Sequence, residues 1–234
     1  MQKKLLMLII FAVLAFSITA SASDVEVWHD DSLKISEMKK IFIMPIESEL
    51  NAGSQLMPAK QLKNQLHGWS VDGVNSAVKK GKLTVKNLDA LLEDMKFIYS
   101  DNISSGDVFF KRAYEMGYKA FIRVKVTQKF DVEHVPETTR TYTEYKEIER
   151  RDSHGKLIET LRIPEEKTEV IPALDVTYLH TVCEPRIYFT SDPYGDYVGA
   201  VNYGIYREYQ GGPVIKVVEN ILKASMKILI TGKK

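Results

Sequence analysis

Five histidines, at positions 29, 67, 134, 154 and 180, and a single cysteine, Cys183, are the side chains to test first for metal or nucleophilic chemistry. None of the histidines falls in a His-Glu-x-x-His or comparable zinc pattern. His180-Thr-Val-Cys183 sets two soft ligands three residues apart, which in a strand sends them to opposite faces. Asp131-Val-Glu-His134 and Trp28-His-Asp-Asp31 offer oxygen and nitrogen ligands, but in polar segments where solvated charge is the simpler reading. Asp192 and Asp196 bracket a turn that lacks the alternation and closing glutamate of a calcium loop. No Gly-x-Ser-x-Gly elbow surrounds a serine, and Gly211-Gly212 precedes a helix without a Walker lysine. Acidic residues are abundant, yet no spacing singles out a pair for glycoside hydrolysis. These residues therefore assign no catalytic, metal or cofactor-binding position.

Tyrosine is the unusual feature. Tyr178, Tyr188, Tyr194, Tyr197, Tyr203, Tyr206 and Tyr209 are seven of the chain's 12 tyrosines, and Tyr142 and Tyr145 lie in a charged stretch upstream. Tyrosine suits strands, so one reading is sheet surface and core rim. The other is a binding face, because tyrosine offers broad amphipathic contact at low entropic cost. On that second reading Tyr142, Tyr145, Tyr188, Tyr194, Tyr197, Tyr203 and Tyr206 are the candidate partner-binding residues.

The elements that must carry these residues follow from periodicity. Phe109, Ala113 and Met116 have helical spacing, and Gly117 then provides the left-handed stop. The pattern switches to period two, with Ala120, Ile122, Val124 and Val126 on one face and Arg123, Lys125 and Thr127 on the other. This helix-to-strand passage is the expected centre of the fold. Upstream, Ile41–Ile46 is continuously apolar, which predicts an internal strand ended by Pro45, followed by a polar loop from Glu47 to Gly53. Pro58–His67 predicts a helix stopped at Gly68, and Val71–Gly81 allows a second short one from Val74 to Lys79. Leu88, Leu91, Leu92, Met95 and Ile98 predict another helix with Thr84 as an upstream cap. Ser104 or Ser105 would cap the helix that leads to Gly117.

From Lys129 to Glu169 charge dominates. Thr139 to Ile148 favours a strand, Asp152–Lys156 a turn, and Leu157–Ile163 a returning strand, which together predict a protruding charged hairpin over about 131–170. A disordered insertion is the alternative. Strands are then expected over Asp175–Cys183, Arg186–Thr190 and Tyr197–Arg207, with a tight turn at Asp192–Asp196. A final helix after Pro213 carries an apolar stripe from Val214 to Leu229 that should cover the sheet. The expected class is α+β, a single domain with a mixed β-sheet and helices packed on it.

The N-terminus has a positive start at Lys3 and Lys4, an apolar run from Leu5 to Phe16, and a small-residue close at Ala20-Ser21-Ala22. These are the parts of a secretory signal peptide over residues 1–22, with residues 23–39 as an extension before a domain spanning 40–234. The apolar run is short for a bilayer span, although an uncleaved anchor is the competing reading. Losing residues 1–22 removes two lysines and no acid, leaving a formal charge of about −1. That balance argues against nucleic acid as the main partner. With one cysteine no internal disulfide can form, so the fold must hold by burial; Cys183 is expected to be buried and inert, with pairing to another chain as the alternative.

The Lys39-Lys40 pair before an apolar strand and Pro45, together with Met116-Gly-Tyr-Lys-Ala-Phe-Ile-Arg-Val-Lys-Val126, resembles small α/β domains of bacterial envelope proteins. The curli-export pore subunit, the outer-membrane activators of cell-wall synthases and the N-terminal domain of the Tol beta-propeller protein are of this kind. The residues Gly117-Tyr118-Lys119-Ala120 depart from the acidic residue usual after that glycine, and the lipidated cysteine of many members is missing. The resemblance thus implies an envelope scaffold without implying an anchor, a pore or catalytic residues. The resulting expectation is an exported, non-catalytic binding or assembly protein, periplasmic or extracellular, whose partner is another envelope protein or a cell-wall polymer. An envelope hydrolase working through Asp and Glu residues, or a carrier of an apolar ligand, are the alternatives.

Overall fold

The computed structural model describes residues 22–50, 58–79, 81–99 and 106–233. The apolar run Leu5–Phe16 and the two serines expected to cap a helix, at 104 and 105, lie outside them. Among the described residues the strands are β1 (Ala22–His29), β2 (Lys40–Ile43), β3 (Glu47–Glu49), β4 (Thr84–Asn87), β5 (Tyr118–Val135), β6 (Thr138–Arg151), β7 (Leu157–Ile171), β8 (Leu174–Phe189) and β9 (Gly199–Glu208). The helices are α1 (Ala59–Ala77), α2 (Leu88–Ile98), α3 (Gly106–Glu115) and α4 (Val214–Thr231). The class is α+β with a mixed sheet.

The chain divides into two compact units. In the first, the sheet order is β1-β9-β8-β5-β2-β4, with β3 also pairing with β5. β2 runs parallel to β4 and β5, whereas β1 and β8 are antiparallel to β9. One face of this sheet carries Ile41, Ile43, Ala120, Ile122, Val124, Val126, Leu179, Cys183, Ile187 and Val201, buried against Leu66 and Val74 of α1 and the stripe of α4. On the opposite face Phe42, Tyr118 and Phe121 pack with Leu91 and Met95 of α2 and Phe109, Phe110 and Ala113 of α3. The second unit, Val132–Thr177, contains the hairpin of β6 and β7, paired antiparallel from Thr138↔Ile171 to Arg151↔Leu157. Its strands are exposed along their whole length.

Several expectations need correction. Gly68 does not end α1, which continues to Ala77 because Ser70, Gly73 and Val74 are buried beyond it. Packing overrides the weak helix propensity of one glycine here. The cap of α2 is Asn87 rather than Thr84, its Oδ1 accepting the Ala90 N–H at 2.7 Å, and Thr84 instead opens β4. Glu47–Glu49, expected in a loop, pairs with β5. The segments on either side of Pro185 form one strand, β8, not two. Pro185 has no N–H to donate, and the β8–β9 register passes from Cys183↔Tyr203 to Arg186↔Ala200 without a pair at that residue. One expectation within the 23–39 extension holds: the alternation of Val25 and Val27 with acidic residues permits a short edge strand, and β1 is one, with both valines facing the core.

Candidate functional site

The sheet face opposite α1 and α4 is only partly roofed. Helices α2 and α3 cover its β2–β5 end, while even-numbered residues of β8 and odd-numbered residues of β5 remain open beyond Phe121. The alternation that buries Val124 and Ile187 on the core side is what sends Arg123, Lys125, Arg186 and Tyr188 here.

β5 and β8 are neighbours, and three contacts set their register. The Thr190 N–H donates to the Lys119 carbonyl at 3.0 Å, Phe121 stacks on Tyr188, and the Gln128 amide donates to the Thr181 hydroxyl at 3.1 Å. All three fit one antiparallel ladder, in which Arg123 stands opposite Arg186 and Lys125 opposite Glu184. These residues, with Met44, Pro45, Glu47, Val124 and Tyr188, line an open groove of about 520 Å³.

A row of rings crosses the strands beside the groove. Trp28 meets Tyr197 edge-on at 5.3 Å, Tyr197 meets Tyr188 at 6.4 Å, and Tyr188 stacks on Phe121 at 5.2 Å. At its inner end the row passes under α3, where Phe121 touches Phe110 at 4.9 Å. Two guanidinium groups lie along the row, Arg123 at 5.0 Å from the Tyr188 centroid and Arg186 at 5.3 Å from that of Tyr197. Aromatic faces attract such cations and hold planar guanidiniums in a fixed attitude. Lys125 is engaged by Glu49 at 3.2 Å, and Arg186 has Glu184 at 3.6 Å.

The structure separates the tyrosines that the sequence grouped. Tyr188 and Tyr197 belong to the row; Tyr194 contacts Phe110 of α3 and is 69% exposed. Tyr206 is on the open face further along, stacked on Tyr178 at 4.8 Å. Tyr203 instead packs against the core cluster under α4, opposite Val25. Tyr142 and Tyr145 lie in the second unit, three residues apart on β6 and hence on opposite faces of the hairpin. The arginines were not among the candidate residues, although the period-two pattern already placed Arg123 opposite the apolar face.

The motifs weighed for chemistry resolve into local contacts. Cys183 is buried in the core, its sulfur accepting from the Ser225 hydroxyl at 3.1 Å, whereas His180 faces Tyr206 on the other side of the sheet. Burial pushes the Cys183 thiol up to about 12. Thiol reagents are therefore expected to leave the native protein unlabelled at pH 8 and to react fully once it is unfolded. Rapid native labelling would contradict this placement. Asp30 accepts from the Ser32 N–H at 2.8 Å, and hydrogen bonds from Ser32 hold its carboxyl below the usual range. His134 is 2.7 Å from Asp175 within the second unit. Among the described residues no group of three or more His, Cys, Asp or Glu side chains is gathered to hold a metal. Nor, among them, is any helix long and apolar enough to cross a membrane.

Comparison with known proteins adds little. No family model matches the chain, and no curated protein matches it. Among solved structures, a PelC dodecamer from Paraburkholderia phytofirmans is similar over 90% of this chain and 99% of its own, at 8% identity and a TM-score of 0.42. A neuraminyllactose-binding hemagglutinin homolog from Helicobacter pylori is similar over 84% of this chain and 83% of its own, at 10% identity and a TM-score of 0.37. Likenesses of this size carry no argument about the present chain.

Proposed function

We propose that this chain is an exported, non-catalytic binding protein of the bacterial cell envelope, and that the open sheet face receives its partner, an envelope protein or a cell-wall polymer. The observation that carries the reading is the row Trp28, Tyr197, Tyr188 and Phe121 with Arg123 and Arg186 laid along it. Aromatic residues and arginine are enriched at binding hot spots, and here Tyr188, Arg123 and Arg186 line one open groove with Tyr197 and Trp28 continuing the row beside it. Export and envelope location rest on the sequence of residues 1–22 and on the resemblance of the Lys39–Pro45 and Met116–Val126 segments to envelope domains. Cleavage after Ala22 would leave Ser23–His29 paired with β9 and so keep the edge strand.

The test is photo-crosslinking in the cell from a reactive residue at Tyr197, compared with one at Lys227 on the exposed side of α4. A reproducible adduct from position 197, absent from 227, is the expected outcome. Equal adducts from both positions, or none from either, would remove the open face as the binding surface.

A further inference from the structure

We infer that the groove binds an acidic polysaccharide, with Arg123 and Arg186 jointly engaging a carboxylate of a sugar acid and the exposed rings covering sugar faces. The inference rests on the proposed reading of this face as a binding face and names the ligand class it would take.

The directly opposed arginines are the starting point. Like charges facing each other across an antiparallel pair are unfavourable. The relief on these strands is one-sided: Glu184 is 3.6 Å from Arg186, whereas among the described residues no carboxylate lies within 4 Å of Arg123. The nearby Glu49 is taken by Lys125. The guanidinium of Arg123 lies over Tyr188 and that of Arg186 over Tyr197, 5.0 and 5.3 Å from the ring centroids, and a cation–π contact uses none of the N–H donors. Two guanidinium groups on facing residues supply the paired N–H donors that a carboxylate accepts. An anion placed between them turns a repulsive pair into a clamp.

The surroundings favour a glycan over a peptide. β8 and β5 are internal strands with a neighbour on each side, so neither offers a free sheet edge. A peptide laid across this face could not add as a strand, and its own backbone groups would lose water without gaining partners. A polysaccharide needs no ladder. Its hydroxyls can hydrogen-bond to side chains and water, and its apolar ring faces can rest on flat aromatic surface. Trp28 is 47% exposed and Tyr197 38%, both on the row that carries the arginine pair.

The probe is a short oligogalacturonate titrated into the full mature protein by calorimetry at low and at physiological salt. Its methyl ester has the same rings and linkage without the charge, and oligoglutamate has the charge without the rings. Binding of the acid is expected, with roughly a ten- to hundredfold loss on esterification, since two charge-assisted contacts disappear. Arg123→Gln and Arg186→Gln should each weaken binding about tenfold, and Arg186→Lys should not restore it, because ammonium lacks the fork. The thermal midpoint of Arg123→Gln should hold or rise, because it removes one of two facing like charges and breaks no ion pair among the described residues.

Equal affinity for acid and ester would overturn the carboxylate clamp while leaving the face as a binding surface. Oligoglutamate binding as tightly as oligogalacturonate would overturn the glycan assignment in favour of an acidic peptide. If no probe binds but the position-197 adduct persists, this inference fails and the broader reading stands. If the adduct is lost as well, both fail.

Discussion

Phe42→Ala is expected to destabilise the first unit by about 3–5 kcal/mol, as large-to-small substitution of a fully buried aromatic does. Phe42 is 0% exposed. Its ring lies 5.6 Å from Phe109, 6.3 Å from Phe110, 6.0 Å from Tyr118 and 5.4 Å from Phe121, and so joins β2, β5 and α3 in one cluster. Because four of its neighbours are themselves rings held by sheet and helix, the site cannot collapse onto the space that alanine leaves. The expected loss is a large part of the roughly 5–15 kcal/mol that a folded domain has in total. It should also reach the candidate site, since Phe121 links this cluster to Tyr188. Urea unfolding followed by tryptophan fluorescence measures it, because both tryptophans, Trp28 and Trp69, belong to this unit. A change below about 1 kcal/mol would mean that α3 is held by something other than this cluster.

The parts of the fold that were legible in the sequence are those where one local signal dominates. Gly117, at φ +90°, ends the passage from α3 into β5 as its position suggested. The alternation from Ala120 to Val126 put the core face of β5 on the correct side, and the stripe of α4 covers the sheet as expected. Where neighbours in space decide the outcome, the reading failed. Nothing in Thr84-Val-Lys-Asn87 separates a strand from a helix lead-in; the parallel partner β2 makes it a strand. Gly68 stops a helix only if no tertiary face extends beyond it, and here Gly73 and Val74 supply one.

The candidate site was partly legible for the same reason. Tyrosine density pointed to the strands that build the open face, and Tyr188 and Tyr197 are on it. Density alone cannot assign a face, so Tyr203 was grouped with them although it packs under α4. The arginines needed the register between β5 and β8, which joins residues more than 60 positions apart and leaves no trace in local periodicity.

Gly73→Ala and Gly68→Ala, two identical substitutions in α1, should move stability in opposite directions. A Cβ on Gly73 would sit 2.7 Å from the Lys223 carbonyl oxygen, 2.8 Å from Met226 Cβ and 3.1 Å from Lys223 Cα, all on α4. Two of those atoms are backbone, so relief requires the helices to separate, and overpacking of this kind costs about 1–3 kcal/mol or more. The gain in helix propensity, roughly 1 kcal/mol for glycine to alanine, is too small to offset it. Gly68, by contrast, is exposed in mid-helix with nothing within 4 Å of the added carbon. There the propensity term acts alone and should stabilise by about 0.5–1 kcal/mol. Thermal or urea unfolding of the pair tests both at once, with the same atoms added to the same helix. If Gly73→Ala proved neutral, α1 and α4 would not cross as closely as the burial of Ser70, Gly73 and Val74 implies. If Gly68→Ala proved destabilising, α1 would not be continuous through that residue.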